Sequence, residues 1–383
     1  TKSTAVGVES LKANTTGNTN IGVGYRSLYT NTTGSQNVAV GNSALQNSTT
    51  ASDNTAVGFQ SLVSNTTGAS NVAVGQAALA ANTTGASNTA LGNNAMAANT
   101  TGSSNVGIGT AALDANTTGG DNVAVGVYAM STSTTGASNV AVGRHALQYN
   151  TTASNNTGIG YAALKANTTG TENTAVGHAA GLANTTASLN AFGGAYSGNA
   201  NTTGTQNAAW GQASMRMNTT GSHNVAVGRE ALKSNTTASN NTAVGNLALL
   251  SNTTGANNTA TGYQALYANT TAADNTAIGK NAAKSTTTGY SNVAIGSNTL
   301  ESNTTGHQQT AVGQGALNAT TTGSFNTAVG YIAMVNNTTG ANNSALGYKP
   351  LHDNTTGSAN VAVGDSALRG NTTGSYNVAF GES

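Results

Sequence analysis

Cysteine is absent from the chain, which excludes a disulfide framework and any thiolate metal site. Proline occurs once, at Pro350, and only 6% of the 383 residues are charged. Disordered chains of comparable polarity carry more charge and more proline, so disorder is not expected. The formal net charge is +1, and no basic or acidic excess points to nucleic acid or an anionic membrane. Aromatic residues make up 4% of the chain. No apolar run approaches the roughly 18 residues a membrane-spanning helix needs. The first residue is Thr1, without Met or a signal peptide. The chain therefore reads as a processed product or a piece of something longer.

What the chain does have is a repeat. Glycine falls at Gly7, Gly24, Gly41, Gly58, Gly75 and then at every seventeenth residue to Gly381. With this glycine as coil position 5, the consensus is Asn-(Thr/Val)-Ala-Val-Gly-x-x-Ala-Leu-x-x-Asn-Thr-Thr-Gly-x-x. Seventeen residues are too few for a helix-turn-helix repeat, and Thr, Val, Asn and Gly are poor helix formers. Positions 2 to 4, such as Val72-Ala73-Val74, suit a short strand. Positions 8 to 10, such as Ala78-Leu79-Ala80, suggest a second one. The glycine and the Asn-Thr-Thr-Gly tetrapeptide are turn chemistry. The expected fold is an all-β parallel solenoid, or β-roll, of about 22 coils with two short strands each, paired rung on rung. At roughly 4.8 Å per rung it would be a rod on the order of 100 Å long. No residue falls out of register, so a single uninterrupted repeat domain over residues 1–383 is expected.

Stacked coils place each position above its own copy. Columns of Asn at positions 1 and 12 and of Thr at 13 and 14 should then form hydrogen-bonded ladders. Asn65, Thr66, Thr67, Asn71, Asn82, Thr83, Thr84 and Asn88 are examples. Ser48, Ser133, Thr286 and Thr320 stand in for Asn at position 12; all are small and polar. Strand alternation leaves two choices for the apolar residues. Either Val74 and Leu79 fill the coil and Ala73 and Ala78 form a smooth outer face, or Ala lies inside a thin coil and Val and Leu line a seam between chains. Five coils have Ala in place of the tetrapeptide's glycine (Ala51, Ala153, Ala187, Ala238, Ala272), so this corner should not require a positive φ.

Charged residues gather at positions 6, 7 and 10, as at Arg26, Arg144, Arg229, Glu230, Lys233, Lys280 and Asp365. This is the expected solvent-facing corner. Tyr25, Tyr161, Tyr263, Tyr331 and Tyr348 all occupy position 6, a stripe that either solubilises the surface or stacks on sugars. One stretch breaks the pattern. Gly181 and Gly198 replace Leu at position 9, Phe192 stands where Ala belongs and Gly193 where Val belongs, with Tyr196 and Trp210 nearby. Large-for-small compensation between adjacent rungs accounts for it; a specific contact point is the alternative.

Catalytic chemistry is not apparent. The five histidines (His145, His178, His223, His307, His352) are scattered without metal spacing. No Ser sits in a nucleophile elbow, and no carboxylates recur as facing pairs, so no enzyme, metal site or cofactor is expected. Asn-Thr-Thr is formally a glycosylation sequon. Glycans on every copy would stand about 4.8 Å apart, closer than their own width, which favours a structural ladder over full occupancy.

The run Gly262-Tyr263-Gln264-Ala265-Leu266-Tyr267-Ala268-Asn269-Thr270-Thr271 resembles the repeats of bacterial and phage tail-fibre-like surface proteins. The Asn-Val-Ala-Val-Gly-x-x-Ala motif at Asn71 to Ala78 is more distantly similar to the heads of trimeric autotransporter adhesins, left-handed parallel β-rolls with shorter coils. The resemblance implies an extracellular or cell- or virion-surface location. Together these features suggest a structural extracellular fibre or filament protein, held by Asn and Thr ladders and by lateral or end-to-end self-association. The chain starts at position 16 of one coil and stops at position 7 of another, without a polar cap, which favours head-to-tail stacking. An adhesin binding surface glycans through the Tyr corners is the alternative, and an ice-binding protein a lesser one. The expected partner is a second copy of the chain; nucleic acid and a membrane span are not expected.

Overall fold

A computed structural model describes residues 2–382. Contacts divide it into two compact units, one ending at Asn190 and the other beginning at Ala191. Both are all-β parallel solenoids, and among the described residues there is no helix. The first unit runs from β1 (Thr4–Val6) to β11 (Thr174–Val176), and the second from β12 (Ala191–Gly193) to β23 (Val378–Phe380). Every strand is three residues long and occupies positions 2 to 4 of its coil. Pairing is parallel and in register with the copy seventeen residues on. In β5 (Val72–Val74), Val72 lies beside Thr89, Ala73 beside Ala90 and Val74 beside Leu91. The same holds in the second unit, where β13 (Ala208–Trp210) pairs with the strand Val225–Val227.

The second strand expected at positions 8 to 10 is not formed. Those residues are a turn, and the backbone gives the reason. Ala77 at position 7 and Leu79 at position 9 both have left-handed dihedrals, φ 54° and 52°. Two such residues flanking one ordinary residue coil the chain too tightly for a strand. The turn still bonds between rungs: the Ala77 amide donates to the Phe59 carbonyl at 2.9 Å and the Leu79 amide to the Ala95 carbonyl at 3.0 Å. A third left-handed residue closes each coil at position 17, as at Ser87, φ 58°. Left-handed backbone costs a residue with a Cβ about 1–2 kcal/mol. Neighbouring rungs must hold it in place.

A glycine at position 7 should therefore relieve strain without removing a buried side chain. The Ala77→Gly chain is expected to be more stable by about 0.5–1 kcal/mol, after allowing for the greater freedom of glycine when unfolded. The change would be read as a higher urea midpoint at constant slope. A lower midpoint would mean that the neighbouring rungs impose no strain there.

The interior is thin. In the coil from Asn71 to Gly85 the buried side chains are Asn71, Ala73, Ala78, Leu79 and Asn82. Ala73 points in, and its strand neighbours Val72 and Val74 point out, with Val74 38% exposed. Neither orientation considered from the sequence applies whole: Ala73, Ala78 and Leu79 are all inside, and only the valines form an outer face. Residues 78 and 79 can both face inward because they belong to a turn rather than to an alternating strand.

Position 5 is always glycine for two reasons. Gly75 has φ +136°, and a Cβ there would fall onto the backbone carbonyl of Gly92 in the next rung. Position 15 differs. Gly68 has no positive φ, in keeping with the alanines found in other coils. Its constraint is close approach to the Gly85 carbonyl and the Asn65 amide.

Candidate functional surfaces

Two amide ladders run through each unit. In the first, the Asn71 Oδ1 accepts both the Asn88 backbone amide at 3.0 Å and the Asn88 Nδ2 at 3.2 Å. In the second, Asn82 Nδ2 donates to Asn65 Oδ1 at 2.8 Å. The two meet at position 15, where the Gly85 carbonyl accepts Nδ2 of Asn71 at 2.9 Å and Nδ2 of Asn82 at 3.0 Å. All four asparagines are fully buried. Each satisfies backbone groups that a thin interior would otherwise leave dry and unpaired. The sequon nitrogen of Asn82 is thus enclosed and engaged twice, which leaves no room for a glycan on it in the folded coil.

The threonines behave differently from the asparagines. Thr66 Oγ1 donates to the Thr83 backbone carbonyl at 3.0 Å and Thr83 Oγ1 to the Thr100 carbonyl at 3.1 Å. These bonds run from hydroxyl to carbonyl, so no hydroxyl-to-hydroxyl ladder forms. Thr67 and Thr84 at position 14 are exposed.

Where Ser or Thr replaces Asn, the second ladder weakens or breaks. Asn31 precedes Ser48, Asn116 precedes Ser133 and Asn269 precedes Thr286; the Oδ1 of each of these asparagines is buried without a partner. The Ser48 and Ser133 hydroxyls are likewise unpaired, whereas Thr286 Oγ1 accepts Asn303 Nδ2 at 3.2 Å. An asparagine at position 48 would meet Asn31 Oδ1 on one side and Asn65 Nδ2 on the other. Ser48→Asn is expected to stabilise the chain by about 1–3 kcal/mol by satisfying a buried acceptor. Thermal or chemical denaturation checks this; an unchanged or lowered midpoint would mean that Asn does not fit the Ser48 site.

The outward sheet face is a regular surface, repeated at every strand. Its position 4 column carries Val40, Val74, Ile159 and Val176 in the first unit and Val227, Ile278, Ile295 and Leu346 in the second, each 36–51% exposed. Position 2 adds Val or the similarly shaped Thr in most coils, and neither column contains a charged residue. Val, Ile and Thr present a pleated surface of branched methyl groups, suited to packing against another such surface.

The corners carry the charged residues, as expected; Arg144, Lys280 and Asp365 are exposed and Arg26 is half-buried. Glu9 is held below the usual carboxylate range by hydrogen bonds from Lys12 and Arg26. The five position 6 tyrosines are 44–49% exposed, yet several have a ring face already covered. Tyr331 stacks on Tyr348 with centroids 5.6 Å apart, and Tyr161 on His178 at 5.2 Å. Arg26 lies 5.2 Å from the Tyr25 ring and Lys349 4.8 Å from that of Tyr348. Among the described residues, Tyr263 alone of the five has neither an aromatic ring nor a cation over it. Rings at rung spacing stack on one another, which leaves little face for a sugar. His145 lies between Tyr128 and Tyr161, and burial followed by the nearby Arg144 and Lys165 charges lowers its pKa.

The irregular patch is compensated twice in the second unit. Inside, Phe192 is fully buried and its ring occupies the space a side chain at Gly198 would need. Outside, the Trp210 indole lies where a Cβ on Gly193 would stand. Gly181 and Gly198 share the left-handed backbone of the leucines they replace, φ 57° and 56°. Tyr196 is 38% exposed and packs against Arg216.

Among the described residues no group of three or more His, Asp or Glu could hold a metal ion, and no pocket is formed. Among the described residues no helix is long and apolar enough to cross a membrane. Compared with known proteins, the chain matches no protein-family model and no curated sequence.

Proposed function

We propose that the protein is a structural, self-associating β-solenoid, a component of an extracellular fibre or filament whose chains pack laterally through their outward sheet faces. One observation carries this reading: the position 4 column, Val, Ile or Leu in most coils, points outward with its position 2 companions, half-exposed or exposed, on a charge-free face in both units. Scattered exposed apolar residues are ordinary, but a contiguous apolar face rarely stays bare on a monomer. Its uniformity also suits a repeating partner better than a compact ligand. The adhesin alternative draws on the Tyr corners, where stacking between rungs leaves Tyr263 as the best-presented ring.

Sedimentation and electron microscopy of the purified chain test the reading. Oligomers or laterally associated fibres are expected. A chain with Val244→Lys, Ile278→Lys and Val312→Lys should sediment as a monomer while keeping its circular dichroism, because these side chains point outward. A native chain that stays monomeric at every accessible concentration would rule the proposal out.

A further inference from the structure

We infer that Trp210 sets the register in which two copies of this chain pack face to face, with Gly193 as its seat. The inference rests on the self-association proposed above. The face of the second unit has twelve strands, about 4.8 Å apart and roughly 10 Å wide. Two copies meeting there would bury on the order of 1,200 Å² in total, at the lower bound of a stable specific interface. A second copy is the fitting partner. The face has no charge to attract an ionic ligand, and only another solenoid repeats its ridges at the same spacing.

Such a face has a defect as an interface. Every rung resembles the next, so a copy displaced by one rung finds nearly the same contacts. Regular assemblies remove this degeneracy with a single residue unlike the rest. On this face the residue is Trp210. Its column is otherwise Val, Ile or Leu except at Gly193, Thr261 and Phe380, and Phe380 lies in the last strand of the sheet. Trp210 is the one aromatic of the column with paired strands on both sides, is 48% exposed and belongs to the residue type that anchors interfaces. Gly193 explains how the face tolerates it: the indole lies over the neighbouring rung where any side chain would collide. The ring is thereby laid along the sheet as a low step. A slipped copy would bring Val or Ile against that step and leave its own Trp210 without a matching place. The face of the first unit carries only Val, Ile and Leu at position 4, so it gives no such reference.

The absence of cysteine makes the test direct. Thr237 is exposed at position 14, away from the sheet face, and a Thr237→Cys chain would carry one spin label. Pulsed electron paramagnetic resonance on the full chain should give a single narrow interchain distance. With Trp210→Val the assembly should keep its sedimentation, but the distances should spread into a series stepped by one rung, about 4.8 Å along the axis. Gly193→Val with Trp210→Val restores the consensus on both rungs and should spread in the same way, which separates register from local misfolding. If both variants keep the single narrow distance, Trp210 does not set the register and the face-to-face packing still stands. If labelled native chains give no interchain distance and sediment as monomers, the packing itself is wrong, and the register role falls with it.

Discussion

Asn71→Asp should cost about 3–5 kcal/mol at neutral pH, although it exchanges one NH2 group for one oxygen. The Asn71 Nδ2 donates to Asn54 Oδ1 and to the Gly85 carbonyl. In aspartate both contacts become acceptor against acceptor, in a fully buried site with no cation to compensate. Burial and these neighbours disfavour the ionised form, so the folded pKa lies above the unfolded value of about 3.9. The sign follows from linkage. Below the unfolded pKa both states are protonated and the charge penalty vanishes. As pH rises from there towards the folded pKa, only the unfolded state releases its proton, and stability falls. At low pH the carboxyl can donate to one of its two former acceptors, leaving a residual loss of about 1–3 kcal/mol. Denaturation midpoints of both chains, taken at acid and neutral pH, measure this. A variant that tracks the native chain at all pH values would mean that the ladder amides do not govern stability.

The ladder was legible in the sequence because period and chemistry coincide there. An unbroken spacing of seventeen residues stacks Asn71 on Asn88, and an amide is both donor and acceptor. The orientation of the strand was equally accessible, although size alone obscured it. Val74 is larger than Ala73, and the larger apolar residue ordinarily goes inside. Asn71 and Ala73 have the same parity along the strand, however, so an inward Asn71 carries Ala73 inward and turns Val72 and Val74 out. Polar satisfaction settles the orientation, and hydrophobic size follows it. The missing second strand was not legible. Left-handed backbone is usually announced by Gly or Asn, but here Leu79 and Ala77 adopt it, under constraint from the rungs on either side. Nothing local in Ala-Ala-Leu foretells that conformation. The corners were legible as exposed but not as stacked, since contact between Tyr331 and Tyr348 depends on side-chain angles that periodicity does not determine.

The irregular coil offers the strongest test of how this thin interior is filled. Phe192→Ala should cost about 3–5 kcal/mol, because it empties the largest fully buried side chain of the described residues. Gly198→Leu, taken alone, restores the usual residue at position 9 and should nevertheless destabilise by about 1–3 kcal/mol or more, since the Phe192 ring already fills its place. Combining them rebuilds the consensus coil: a small residue at position 3 and leucine at position 9, on a backbone that already has the left-handed turn. The double variant should therefore be more stable than either single one. Its remaining deficit is the strain of a left-handed leucine, about 1–2 kcal/mol. The cycle should show a coupling of at least about 2 kcal/mol, where independent sites add to within about 0.5. Four urea curves decide it. Additive losses would mean that Phe192 and Gly198 fill separate spaces and that the coil is merely tolerant. A large coupling would mean that each rung holds a fixed interior volume, which one phenylalanine fills as well as an alanine and a leucine.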